Sequence, residues 1–147
     1  MQRLTGGLAD LLPRGEVWLD GGHNPHAAAA MAATLRARAD GRPLHLVFGL
    51  QGKRDPQALL APFAGLAAGL TAVPVPDEAA SQPTESLAEA ARSRGMAADT
   101  APDVEAALKG ILRTVPQARV LIFGSLYLAG AVLRRQEALA GPAALRA

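Results

Sequence analysis

The 147-residue sequence contains no cysteine, which excludes disulfides, thiolate chemistry and cysteine-built zinc sites. It is also poor in aromatic residues, with one Trp, one Tyr and three Phe. A core must therefore be assembled from Ala, Leu and Val, and the aromatic platforms on which single-stranded nucleic acids stack are missing. Lysine is almost absent, with two residues against thirteen arginines. The cations are scattered along the chain and the net charge is only +2, so no nucleic-acid partner is expected. No apolar run approaches the roughly 20 residues that cross a bilayer, and the N-terminal residues lack the apolar stretch of a signal peptide. These absences lead to the expectation of a cytoplasmic protein without a membrane partner.

Half of the residues are nevertheless hydrophobic. A chain of this length reads as one domain, 1–147, able to bury roughly two-thirds of its extended surface. Short β-like runs alternate with longer helical ones. Strands are expected over 17–20, 44–49, 70–75 and 119–124, with a short one over 96–100. Pro74 places the third of these at an edge or ends it early. Helices are expected over 25–39, 57–66, 84–94, 103–114 and 126–139. Asn24-Pro25 and Asp55-Pro56 supply a capping side chain followed by Pro at the first helical position. Gly41 and Gly95 stop the helices that precede them. The tail, 141–147, is expected to fray.

Strands and helices at this spacing form βαβ units. The predicted fold is α/β: a Rossmann-like three-layer sandwich with a mainly parallel sheet and helices on both faces. Ligands of such sheets gather beyond the carboxyl ends of the strands. Three segments leave strands there: 20–24, 49–55 and 124–125.

The first runs Val17-Trp18-Leu19-Asp20-Gly21-Gly22-His23-Asn24-Pro25, a strand ending on an acid, turning through two glycines and entering a helix. Backbone N–H groups exposed at such a corner suit an anion or a nucleotide. Asp20 can accept from ribose hydroxyls, because an ionised carboxylate offers only acceptors; equally, it can close the turn on its own backbone. His23 can stack on a purine, bond a phosphate, or be a loop histidine. Asn24 is explained as a helix cap. His26 lies three residues after His23 but on a helix start with no acidic partner, and no metal site is expected in the chain.

The segment Gly49-Leu50-Gln51-Gly52-Lys53-Arg54-Asp55 carries two glycines and two cations, enough to meet a phosphate or carboxylate or simply to be a solvated loop. It is not a Walker A loop. Ser125 lacks the context of a nucleophile elbow and reads as a helix cap. No nucleophile, base and orienting group can be assembled.

Taken in order, the three segments resemble a known family. Leu19-Asp20-Gly21-Gly22-His23-Asn24-Pro25 is similar to the Leu-Asp-x-Ala-His-Asn-Pro motif of the folylpolyglutamate synthase/dihydrofolate synthase family. The 49–55 segment resembles that family's Gly-x-x-x-Asp-Lys-Asp loop, and Gly124-Ser125-Leu126-Tyr127-Leu128-Ala129-Gly130 its Gly-Ser-Leu-Tyr-Leu-Ala-Gly segment. The matching part of the family is its C-terminal Rossmann-like glutamate-ligase domain, shared with the Mur ligases. Those usually carry Asp-Asp-Tyr-x-His-x-Pro in the first motif, so Leu19 before Asp20 points to the folate branch. Two features depart from the family pattern. Lys53-Arg54-Asp55 reverses the first charge of Asp-Lys-Asp, and the arginine upstream of the first motif has only Arg3 as a nearby candidate.

The resemblance implies an ATP-dependent ligase. ATP phosphorylates a pterin-linked carboxylate, and the amine of L-glutamate attacks the resulting acyl phosphate. It implies ATP contacts at Asp20 and His23, and phosphate or glutamate contacts at Asn24, Lys53, Arg54 and Ser125. The P-loop and the Mg²⁺ ligands would lie on an N-terminal ATPase domain outside this sequence. The 147 residues would then be half of a site, inactive alone, with dihydropteroate or folate, L-glutamate and ATP as substrates. The alternative is a non-catalytic Rossmann-like nucleotide-binding or regulatory module.

Overall fold

A computed structural model describes residues 1–140; the expectation for 141–147 lies outside them. Six strands form one sheet in the order β1-β2-β6-β3-β4-β5. They are β1 (Gln2–Leu4), β2 (Glu16–Leu19), β3 (Leu44–Phe48), β4 (Ala67–Ala72), β5 (Ala97–Thr100) and β6 (Arg119–Phe123). All neighbours pair in parallel except β1, which runs antiparallel to β2 at one edge. The helices are α1 (Pro25–Ala37), α2 (Pro56–Leu60), α3 (Thr84–Arg92), α4 (Val104–Thr114) and α5 (Leu126–Ala140).

The alternation of side chains along the central strands sorts the core into two layers. Leu46, Phe48, Leu121 and Phe123 face one side, against Met31 and Leu35 of α1, Leu60 of α2 and Leu87 of α3. Val17, Leu19, Val47, Val120 and Ile122 face the other, against Leu108 and Ile111 of α4 and Leu128 and Val132 of α5. Both faces are covered, which explains why β6 is buried at every residue and has no polar alternation. The predicted three-layer sandwich is the observed one.

The boundaries differ where proline decides them. β4 ends at Ala72 rather than at 75, because Pro74 has no N–H for the ladder; the strand lies inside the sheet, between β3 and β5. The second helix stops at Leu60 and tightens into a 3₁₀ turn, Ala61–Phe63, where Pro62 cannot donate to an α-helical bond. The edge strand β1 and a 3₁₀ turn at Gly7–Leu11 were not anticipated. The segment that follows β1 and the turn are held by Gln136, which is fully buried. Its Oε1 accepts from Leu8 N–H at 2.8 Å, and its Nε2 donates to the carbonyls of Thr5 and Gly6.

The sheet order fixes where a ligand can enter. β6 lies between β2 and β3, aligned in register so that Leu19 pairs with Ile122 and Phe48 with Phe123. From β2 and β3 the chain continues into α1 and α2 on one face, whereas from β6 it continues into α5 on the other. Adjacent strands whose connections leave to opposite faces open a crevice at their carboxyl ends. Phe48, Phe63 and Phe123 pack together in the core on the α1 and α2 side, with ring centroids 4.9 Å and 5.1 Å apart around Phe123.

Candidate functional site

All three segments singled out in the sequence meet at that crevice. After β2, Asp20 N–H still donates to Ile122 O at 3.0 Å, then the chain turns. Asp20 Oδ1 accepts from Gly22 N–H at 2.7 Å, the turn-closing arrangement of an Asx turn. Asn24 Oδ1 accepts from Ala27 N–H at 2.8 Å and caps α1. His23 donates from Nδ1 to Gly21 O at 3.2 Å, which leaves Nε2 for a ligand.

The 49–55 segment is fastened on both sides. Arg54 donates from Nη1 to His23 O at 3.2 Å, tying this loop to the first. Gln82 Nε2 donates to Gly52 O and Arg54 O at 3.1 Å and 2.8 Å. Asp55 caps α2 through Gln57 N–H at 2.9 Å. Lys53 is exposed.

At the end of β6, Gly124 has φ +120°, a conformation open to glycine alone. A side chain there would also stand 2.2 Å from Gly49 O, so two loops close on each other only because this residue has no Cβ. Ser125 follows, 2% exposed. Its Oγ accepts from Tyr127 N–H and Leu128 N–H at 3.1 Å and 3.3 Å and donates to Gln51 Oε1 at 2.7 Å. Gln51 was not singled out by the sequence reading; amide residues in loops carry no signature until the fold supplies their partner.

The structure distributes four of the six predicted residues over two clefts, whereas Asn24 and Lys53 line neither. His23, Gln51, Arg54, Ser125 and Tyr127 line a small one of about 80 Å³. Asp20 lines a larger one of about 290 Å³, with Trp18, Met31, Thr34 and Arg38. There the Arg38 guanidinium sits 5.4 Å from the centre of the Trp18 ring. Leu126 and Tyr127 stand on the rim, each 64% exposed. Arg3, the upstream candidate, pairs with Trp18 across β1 and β2 and lies 4.0 Å from Glu16. Among the described residues no three His, Cys, Asp or Glu side chains gather as a metal site.

The arrangement is that of a Rossmann-like α/β domain with its ligand rim at the switch point of a parallel sheet. The chain belongs to the Mur ligase, glutamate ligase domain family, whose model matches residues 11–126. No curated protein sequence matches it. Among solved structures it is similar to Mycobacterium tuberculosis folylpolyglutamate synthase complexed with ADP and AMPPCP. That match has 25% identity and a TM-score of 0.71, and covers 90% of this chain and 32% of the other. Folylpolyglutamate synthase from Thermotoga maritima matches at 25% identity and TM-score 0.67, covering 82% and 27%. The bifunctional folylpolyglutamate synthase/dihydrofolate synthase of Yersinia pestis, complexed with AMPPNP and Mn, shares the fold at 24% identity and TM-score 0.68, covering 82% and 28%. The chain thus spans about a third of the length of these structural neighbours.

Proposed function

We propose that this chain is the glutamate-ligase half of an ATP-dependent ligase that adds L-glutamate to dihydropteroate or folate. The observation that carries this reading is the convergence of 20–24, 49–55 and 124–125 on one crevice, in a chain that shares its fold with folylpolyglutamate synthases over most of its length. Cleft size divides the labour. The smaller cleft, of about 80 Å³, lies beside the Arg54 guanidinium and takes the anionic end of a substrate, a carboxylate or a phosphoryl group. The cleft of about 290 Å³ has room for a sugar beside Asp20.

On this reading Asp20 accepts from ribose hydroxyls through the carboxylate oxygen that its turn leaves free. His23 offers Nε2 toward the nucleotide, and Arg54 and Lys53 neutralise charge developing at the acyl phosphate. The amine of L-glutamate attacks the acyl carbon, and inorganic phosphate leaves from the tetrahedral intermediate as the amide forms. The residues described here supply no metal site; the Mg²⁺ ligands and the P-loop belong on this reading to the N-terminal ATPase domain.

The test is ligation of dihydropteroate and of folate by the protein carrying this chain together with its ATPase domain. Expected is turnover that requires ATP and L-glutamate, lost by tenfold or more in kcat/KM for ATP in Asp20→Ala. The 147 residues alone are expected to be inactive. Turnover by the isolated chain would refute the half-site, and nucleotide binding without ligation by the longer protein would favour a regulatory module instead.

A further inference from the structure

The hydrogen bonds of Ser125 fix the orientation of a neighbour. A hydroxyl has one proton and two lone pairs. The Ser125 oxygen receives the N–H groups of Tyr127 and Leu128, so its proton is the group left to bond Gln51 at 2.7 Å. The partner atom must then be the carboxamide oxygen, because an NH₂ cannot accept. With Oε1 held by Ser125, the two N–H donors of Gln51 Nε2 are left without a protein partner among the described residues. The same carboxamide lines the small cleft beside His23 and Arg54. Gln51 is anchored at its backbone too, through a bridge to Ser81 and the Gln82 N–H bond to Leu50 O at 2.8 Å.

Resting on the ligase reading above, we infer that the Gln51 carboxamide is a ligand-contacting group that donates to an oxyanion in the small cleft, and that Ser125 acts through it as a positioning residue. The oxyanion is a carboxylate or a phosphoryl group. The donors around the cleft are those an anionic oxygen needs: Gln51 Nε2 and the guanidinium of Arg54, of whose five N–H groups one is spent on His23 O. Ser125 is not free to contact the ligand itself, since its one proton is committed.

The two sources are separated by titrating the ¹⁵N-labelled 147-residue chain with L-glutamate and, separately, with inorganic phosphate, at matched ionic strength. The side-chain NH₂ resonances of Gln51 are expected to shift saturably with at least one, and the tighter of the two names the source. Tyr127, which lines the same cleft, should shift with the same anion, and Gln51→Leu should abolish that shift. Ser125→Ala should weaken it, whereas Ser125→Thr, which keeps a hydroxyl, should preserve it. In the longer protein, loss of one hydrogen bond to a charged group is about a 10- to 100-fold effect. Gln51→Leu should raise the KM of the substrate that owns the oxyanion by that factor while the ATP-binding step at Asp20 is unchanged. Gln51→Glu, which adds a negative charge without changing size, should be worse than Gln51→Leu. No saturable shift with either anion, or equal behaviour of wild type and Gln51→Leu, overturns the inference. Absence of ligation by the wild-type protein would overturn the ligase reading instead, leaving the titration to decide the oxyanion site.

Discussion

His45 gives the fold an acid sensitivity that can be worked out before it is measured. The residue sits on β3, facing α4, and its Nε2 shares a 2.9 Å hydrogen bond with Thr71 Oγ1 on β4. Burial pushes its pKa down from the ordinary 6.5 to about 4, with Asp99 on β5 opposing the shift. A histidine whose folded pKa lies below its unfolded value binds fewer protons when folded. The stability it allows is therefore complete above about pH 6.5, declines as pH falls, and stops declining below about pH 4. Integrated from pH 7.5 to 4.5, this single group costs about 2.5 kcal/mol, a large fraction of the stability of a domain this size. Arg113 on α4 lines the same cleft as His45 and Asp99. The assay is urea unfolding of wild type and His45→Gln at the two pH values. The variant, neutral throughout, should lose about 2 kcal/mol less than wild type between them. Parallel losses in the two proteins would refute the argument, because the missing protons would then belong to other groups.

Three further outcomes follow from the packing. Gly124→Ala should cost about 2–4 kcal/mol by urea denaturation, since the added Cβ meets Gly49 O at 2.2 Å with φ at +120°. Arg119 is 3% exposed and donates from Nη1 to the carbonyls of Leu35 and Arg38 at the end of α1. Arg119→Met, which keeps the stem and loses the donors, should lower stability by about 2 kcal/mol, with the loss of protection localised to the last turn of α1 by hydrogen exchange. The hydrogen bond from Arg42 holds the Asp40 carboxyl at about 2, below its ordinary 3.8. Its folded pKa is depressed, so this term stabilises above the ordinary value and fades as pH falls toward 2. In Arg42→Ala the Asp40 carboxyl should titrate closer to 3.8 by ¹³C NMR.

Much of the architecture was legible in the sequence because its signals are local. The Asn24-Pro25 and Asp55-Pro56 caps begin α1 and α2 as expected, and the unbroken apolar run at 120–123 forms most of the buried central strand. What escaped was non-local. β1 has only three residues, and nothing in them reveals that Gln136, more than a hundred residues away, pins the segment that follows. Pro62 and Pro74 shortened elements whose hydrophobic pattern ran further, as a missing N–H prevails over side-chain preference.

The candidate site divides in the same way. The sequence by itself determined the corner at Asp20, the cationic loop at Lys53 and Arg54 and the cap at Ser125, since a strand end, a turn and a helix start are each written in a few adjacent residues. Only the tertiary structure decided that β6 inserts between β2 and β3, which brings these three segments to one crevice. It also decided that Asp20 and His23 line separate clefts. The proton of Ser125, finally, goes to Gln51, 74 residues away. A hydrogen bond needs its partner within about 3 Å, and that proximity is a property of the folded sheet.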